Sequence, residues 1–464
     1  MPRVGWLVAI GSVLVACAAV GHSDERARDD EAALLATLDR LVALERRDGA
    51  WTFAAAPHTR PAPSTMVVKI AERVASPFGL ADWDLVVMRS PGTPAAILAL
   101  VDGYERTGRA AYLDSAKRAG DLLLRTQLPS GGWYSEMPVE GDHLARWFAA
   151  TVRRTMLDDD VTTGGARALL ALWRTTSDVR YRDGAERALG LLVDAQLASG
   201  AWPLVWRPAW KRYLWLTFED LATINDDTTP SAVETLLSAA ELLGRDDLRT
   251  AATRGGEFLL AVQAPPPRSG WAQQYDAHGR PAQGRRFEPP ALASWESRYA
   301  IEALVALADA TGDQRYCAAI TRAITWLASS ALRPGCWPRF RAVDSGEPIY
   351  IGSDGTRVAS AALGRPGYDW VGDFGVSALL SRYGTHASVA STAEAEPAPG
   401  DPGQCPGDVP RGSSRHAPED PRAVIARAAM LRAELTPPPR SICERTTRTT
   451  LVTAAHSLAA SDRR

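Results

Sequence analysis

Gln196-Leu-Ala-Ser-Gly-Ala-Trp202 is the stretch on which the fold turns, because its pattern recurs along the chain. Gln127-Leu-Pro-Ser-Gly-Gly-Trp133 stands before it, and Pro267-Arg-Ser-Gly-Trp271 and Arg333-Pro-Gly-Cys-Trp337 follow, with the tryptophans 69, 69 and 66 residues apart. A fixed period of this size signals an array of supersecondary units, none of which buries both faces alone. Between corners the apolar residues recur at three and four spacing, which predicts helices. Ser90 to Gly108 and Ala111 to Gln127 form the first hairpin. Ala166 to Gln196, Ser231 to Gln263 and Trp295 to Ser330 form three more, each broken by a polar turn. Hairpins stacked side by side in this way predict an all-α fold, an (α/α) toroid with an inner and an outer ring.

Outside the array the signals weaken. Asp30 to Arg47 is amphipathic and predicts one further helix, whereas Ala54 to Ser64 is proline-rich and irregular. Pro348 to Ile351 and Thr356 to Val358 flank Ser353-Asp354-Gly355 as a minor β-hairpin. After Arg382 the composition shifts to Ala, Pro, Ser, Thr and Gly, expected as a disordered low-complexity tail in which Pro421 to Leu435 is an isolated helix. The expected organisation is a signal over residues 1–22, an extension over 23–90, the toroid over 91–383 and the tail over 384–464.

Two acid-rich stretches precede helical runs one repeat apart: Met156-Leu-Asp-Asp-Asp-Val-Thr-Thr163 and Thr223-Ile-Asn-Asp-Asp-Thr-Thr229. Counted from the tryptophans, Asp158, Asp226 and Glu296 fall 25, 24 and 25 residues on. A curved array is therefore expected to bring three carboxylates to one mouth. Carboxylates and an amide from two loops are the hard oxygen donors that calcium prefers, although a lone Asp before a helix is more often its cap. The irregular stretch from Trp271 to Ser297 is too long for a plain connection and places Arg285, Arg286 and Glu288 beside two prolines.

The formal net charge of −2 excludes a strongly electrostatic nucleic-acid binder. The apolar run Val4–Val20 behind one arginine reads as an export signal, with Cys17 placed either as a lipoprotein anchor or beside an ordinary cleavage site. A secreted, periplasmic or cell-surface lipoprotein, monomeric, is expected. Four cysteines remain, Cys317, Cys336, Cys405 and Cys443, an even number suited to an oxidising compartment. Neighbour pairing is the first expectation among three connectivities.

In order along the chain, Pro129 to Trp133, Leu157 to Thr163, Ile224 to Thr229, Trp271 to Asp276, Gly284 to Ser297 and Gly364 to Phe374 resemble the α/α-toroid pectate lyases, polysaccharide lyase family ten. The likeness covers roughly Pro91 to Tyr383. The resemblance implies cleavage of polygalacturonate, the backbone of pectin, by calcium-assisted β-elimination. It implies Arg285 as the base, Arg365 as a clamp on a substrate carboxylate, and Asp158, Asp226 and Asp227 as metal ligands. Asp158 and Glu296 join Trp133 and Tyr368 in the expected substrate-binding set.

Three departures from the family pattern stand out. Asp159 replaces the usual Asn, Tyr134-Ser-Glu-Met137 replaces a Pro-Lys-Asn type of continuation, and the segment from Arg207 to Leu221, which holds Lys211, is longer than usual. Two other classes compete. Terpene cyclases share the Gln-x-x-x-Gly-x-Trp corner, but their Asp-x-Asp-Asp motif is lost here to Leu157 and Ile224. A non-catalytic surface glycan-binding protein would use Trp206, Trp210, Trp215 and Trp370 as sugar platforms on the same scaffold.

Overall fold

Each hairpin of the array is written into its turn residues. Helix α2 (Thr93–Thr107) stops at Gly108, whose left-handed backbone closes the last turn, and α3 (Ala110–Thr126) runs back. The same plan gives α4 (Val161–Thr176) and α5 (Val179–Ala195), α6 (Thr228–Leu243) and α7 (Asp246–Val262), and α8 (Ser294–Thr311) and α9 (Gln314–Ser329). Asp178 and Asp313 cap the return helices α5 and α9 by accepting the N–H of Arg180 and Arg315. The computed structural model describes residues 29–45, 49, 51, 85–138, 155–207, 217–385, 405, 421–435 and 441–444.

The first helix of each pair packs on the first helix of the next, α2 on α4, α4 on α6 and α6 on α8, while α3, α5, α7 and α9 form the second layer in the same order. This is the expected α/α toroid. The helices α4 and α6 begin at Val161 and Thr228, several residues before the apolar periodicity becomes readable at Ala166 and Ala232. A short α10 (Val376–Arg382) packs on α8, and the hairpin of Pro348–Ile351 with Arg357–Val358 is present in antiparallel register.

The corner sequence now has a mechanism. The side-chain amide of Gln127 donates to Gly131 O of its own corner at 2.6 Å and to Gly184 O of the next outer helix at 2.8 Å. Gln196 repeats this with Gly200 O and Ala251 O, and Gln263 with Ser269 O and Ala319 O. Gly131 and Gly200 have φ of +98° and +95° and lie against the backbone at Arg187 and Arg254, where a side chain has no room. The indoles of Trp133, Trp202, Trp271 and Trp337 are fully buried and donate to carbonyls of Leu123, Leu192, Leu259 and Leu327. Each corner thus buries a large apolar ring and satisfies its polar atom in one step.

A fifth corner lies upstream. Helix α1, residues 29–44, precedes Gly49 and Trp51; Gly49 lies against the backbone at Arg118, and Trp51 is fully buried with its indole on Leu41 O at 2.9 Å. Among the described residues the array therefore begins with α1, whose Leu38 packs at Gly103 beside Tyr112.

At the other end, α11 (Pro421–Leu435) is not isolated: Val424, Ile425, Ala428 and Leu431 are buried and the helix packs on α2. Ser441 and the N–H of Ile442 donate to Asp309 of α8, Arg382 of α10 pairs with Glu444 at 2.7 Å, and Cys443 is bonded to Cys317 of α9. The segment from α11 to Glu444 thus touches both the first and the last hairpins. The second disulfide joins Cys336 to Cys405, so the expected neighbour pairing is corrected: Cys317 and Cys336 each reach into the C-terminal segment instead of to one another. The export run, Cys17, Lys211, Trp210 and Trp215 lie outside the described residues. No helix among the described residues is long and apolar enough to cross a membrane.

Candidate active site

The two acid-rich stretches fold into the same turn. Asp159 and Asp160 have φ of +51° and +60°, and Asp226 and Asp227 have +49° and +63°, so each loop enters its helix through two left-handed residues. Asp is among the side chains that tolerate this region, and such strain gathers at functional sites. The capping explanation fails, because neither Asp160 nor Asp227 makes a side-chain cap bond to its helix.

Register comes from the hydroxyl that accepts the corner tryptophan N–H: Thr162 from Trp133, Thr229 from Trp202 and Ser297 from Trp271. Counting back from these, Asp158 matches Asn225, Asp159 matches Asp226, and Asp160 matches Asp227. The third unit offers Ala293, Ser294 and Trp295 instead. The three-way match of Asp158, Asp226 and Glu296 is therefore corrected: the connections differ in length by a few residues, and counting from the tryptophan slips the register. The two turns are clasped by the N–H of Asp159, which donates to Asp226 O at 3.0 Å.

Asp158, Asp159 and Asp226 each bring a carboxylate oxygen within 4.8 Å of the others. Asp158 is 4% exposed, and its Oδ1 is buried without a hydrogen-bond partner. Burial, followed by the charges of Asp159 and Asp226, pushes the Asp158 carboxyl well above its usual range, while Arg89 and Arg285 pull against it. A buried, unpartnered carboxylate oxygen among like charges fits a hard divalent cation such as calcium.

Asp227 does not belong to this set. Its carboxyl turns to a separate group with Asp160, Glu234, Glu302 and Arg167, and it too is held well above the carboxylate range, first by burial and then by Glu234. Asp159 takes the place expected of Asp227 because the left-handed pair sends successive side chains to different sides of the turn.

Arg285 reaches the cluster from the long loop, with Nη2 3.5 Å from Asp226 Oδ2. Glu288, 3% exposed, accepts from the Arg285 main-chain N–H at 2.8 Å and from Nη1 at 2.9 Å, which fixes the guanidinium. Burial pulls the Arg285 pKa down, yet Glu288, Asp226 and Asp158 outweigh it and hold the group above the ordinary arginine value. Tyr368 donates to Glu288 Oε1 at 3.5 Å, so it supports the arginine. Arg365 is exposed, its guanidinium 3.9 Å above the Phe287 ring, which leaves its fork open to solvent.

Two expected substrate contacts are corrected. Trp133 is fully buried against Gly165 and serves the core. Glu296 is 1% exposed; its Oε1 accepts from Arg339 at 3.2 Å and from Gln273 at 2.7 Å, and Gln273 also donates to Asn225 Oδ1 at 2.6 Å. Glu296 therefore supports the acidic loop through Gln273 and Asn225. Trp370, read as a sugar platform, is 5% exposed and packs on Phe340 and Tyr368. Arg339, which sequence reasoning passed over, lies between the rings of Trp295 and Tyr368 at 4.8 and 4.6 Å. Its signal was the polar residue two places after the Trp337 corner, a spacing shared by Gln273 after Trp271.

A family model described as pectic acid lyase matches residues 134–335. Among solved structures, a family 10 polysaccharide lyase from Cellvibrio cellulosa is 20% identical, covering 62% of this chain and 95% of that one at a TM-score of 0.46. An Asp-to-Ala mutant of that lyase, in complex with trigalacturonic acid, is 19% identical over 62% and 96% at 0.47. An α-1,6-mannanase from Salegentibacter sp. is 14% identical over 64% and 70% at 0.40. No curated protein sequence matches the chain.

Proposed function

We propose that residues 134–335, which match the pectic acid lyase family model, form a polysaccharide lyase domain, and that the protein cleaves polygalacturonate by calcium-assisted β-elimination with Arg285 as the base. The observation that carries this reading is the Arg285 guanidinium, set 3.5 Å from Asp226 beside a buried Asp158 oxygen that has no partner.

Asp158, Asp159 and Asp226 would hold the cation, which when bound neutralises the uronate carboxylate and stabilises the negative charge that develops beside it. Arg285 takes the proton from the carbon alpha to that carboxylate. The electron pair forms the carbon–carbon double bond, the glycosidic C–O bond at the beta carbon breaks, and the leaving oxygen gains a proton.

Arginine ordinarily stays charged, with a reference pKa of about 12.5 or above. Here burial lowers it, while Glu288, and then Asp226 and Asp158, raise it by more. Compensation of Asp226 and Asp158 would remove part of that increase, with Glu288 remaining, and alkaline solution favours the base further. Glu288 holds Nη1 and the main chain, so the guanidinium meets substrate in one orientation. Arg365, stacked on Phe287, presents its planar fork to a carboxylate of another sugar in the chain.

Export to an oxidising compartment belongs to the same reading. The apolar run behind the first arginine and the pairs Cys317–Cys443 and Cys336–Cys405 support it, with Cys17 as the site for lipid attachment in a cell-surface form.

The test is ultraviolet absorbance of unsaturated uronate released from polygalacturonate at alkaline pH, with calcium and with chelator, for the mature protein and its Arg285→Ala variant. A calcium-dependent rise that the variant loses supports the reading. Folded protein that binds uronate oligomers and releases no unsaturated product replaces it with a glycan-binding role.

A further inference from the structure

The acidic cluster has a second arginine on it, from a part of the chain upstream of the family match. β1 (Leu85–Val87) pairs antiparallel with β2 (Glu136–Pro138), and the next residue, Met88, donates its N–H to Ser135 O at 2.8 Å. Ser90 then donates its N–H to Asp159 O at 2.9 Å. Arg89 is held between these two anchors. Its Nε lies 3.4 Å from Asp159 Oδ2 and its Nη2 3.5 Å from Ser135 Oγ, while the side chain keeps 45% exposure. Arg285 holds Asp226 in the same manner at 3.5 Å. Each arginine therefore pairs with a different acid of the cluster.

We propose that Arg89 is a substrate-binding residue that takes a carboxylate of the bound acidic polysaccharide beside the cation cluster, from the strand preceding the first hairpin. The proposal rests on the polyuronate reading of the site. The three carboxylates lie within 4.8 Å of one another, and each arginine leans on one of them. A divalent cation held by these acids would satisfy Asp159 in place of Arg89, and an exposed arginine on a fixed backbone would then have its planar fork available for a bidentate contact. A polyuronate supplies a carboxylate on every sugar, so a chain centred on the cluster meets positive charge from Arg89 as well as from Arg285 and Arg365. Asp159, whose charge brings Arg89 inward, thereby keeps this arginine poised.

The experiment compares the full protein with Arg89→Gln and Arg89→Lys in saturating calcium on polygalacturonate. KM is expected to rise about tenfold in Arg89→Gln, with a smaller change in kcat. Arg89→Lys, which keeps the charge and loses the fork, should fall between, and the calcium midpoint should not weaken. An unchanged KM, with only the calcium midpoint or the melting temperature moved, would show that Arg89 serves Asp159 alone and overturns the proposal. If the unsubstituted protein releases no unsaturated product, the lyase reading fails by itself, and calorimetric titration with trigalacturonate decides for Arg89. Binding about tenfold weaker in Arg89→Gln supports the proposal; equal binding, or none to either protein, refutes it. Should Arg89→Gln not fold, the same comparisons are read from Arg89→Lys.

Discussion

Replacing Asp158 by Asn should make the protein more stable in chelator and deaf to calcium. The carboxylate is 4% exposed, with like charges from Asp159 and Asp226 no more than 4.8 Å from it. At that distance each costs about 3 kcal/mol at an effective dielectric of ~20. The Asp159 and Asp226 side chains keep 30% and 24% exposure, and Arg89 and Arg285 attract, so the net penalty falls to roughly 2 kcal/mol. Asn keeps the shape and removes the charge. In a chain of this size the gain corresponds to a rise of ~2 °C in melting temperature.

Calcium at about a hundred times its dissociation constant should stabilise the unsubstituted protein by ~2.7 kcal/mol and the variant by almost nothing. The sign with pH follows from the raised Asp158 pKa. The penalty is present above that value and disappears as the group protonates, so in chelator the two proteins converge as pH falls. Thermal unfolding with calcium and with chelator is the assay. A variant less stable than its parent in chelator, or one raised equally by calcium, refutes the reasoning.

Asp159→Asn should weaken the calcium midpoint by ~tenfold through loss of a ligand charge, whereas Asp227→Asn should leave it within about twofold; calcium titration of activity separates them, and the reverse order restores the sequence-based ligand set. Burial, then Glu302, lifts Glu234 to about 7 against the pull of Arg167. Its protonated form stabilises below the unfolded carboxyl range, and that contribution is lost as pH rises through about 7, so Glu234→Gln should be neutral near pH ~4 and raise the melting temperature by ~3 °C at about pH 9. A flat difference across pH contradicts this. Cys317→Ser with Cys443→Ser should cost about 2–4 kcal/mol and lower the melting temperature, because the pair ties the last hairpin to the segment that carries α11. Unfolding that is unchanged by the double substitution removes the tether from the account.

The fold was legible because a Gln–Trp corner is a complete local device: Gln127, Gly131 and Trp133 each make a bond or a contact that only their residue type supplies. Trp51 escaped the pattern because it has no glutamine ahead of it and stands off the period. The acids were legible as a cluster, since two triplets one repeat apart demand compensation. Their division was not. Alternation of side chains through a left-handed pair separates Asp159 from Asp160 and Asp226 from Asp227, and composition carries no trace of that turn. Counting from tryptophan gave Glu296 a false partner, whereas the hydroxyls of Thr162, Thr229 and Ser297 hold the true register. Arg285 and Glu288 were readable as neighbours in a stiff loop, but Arg89 was not, because its partner lies 70 residues on and only the pairing of β1 with β2 brings it there. The cysteine pairs depended likewise on where the C-terminal segment returns.

The most direct measurement of the central claim is the mass of the ends created when the protein cuts a purified oligogalacturonate in calcium. Elimination with Arg285 as base predicts a new non-reducing end that is unsaturated and lighter by one water than a hydrolytic end, and it predicts the loss of that product in Arg285→Ala. Products whose new non-reducing ends are saturated and carry a hydroxyl, or intact substrate after prolonged incubation with folded protein, would contradict the account.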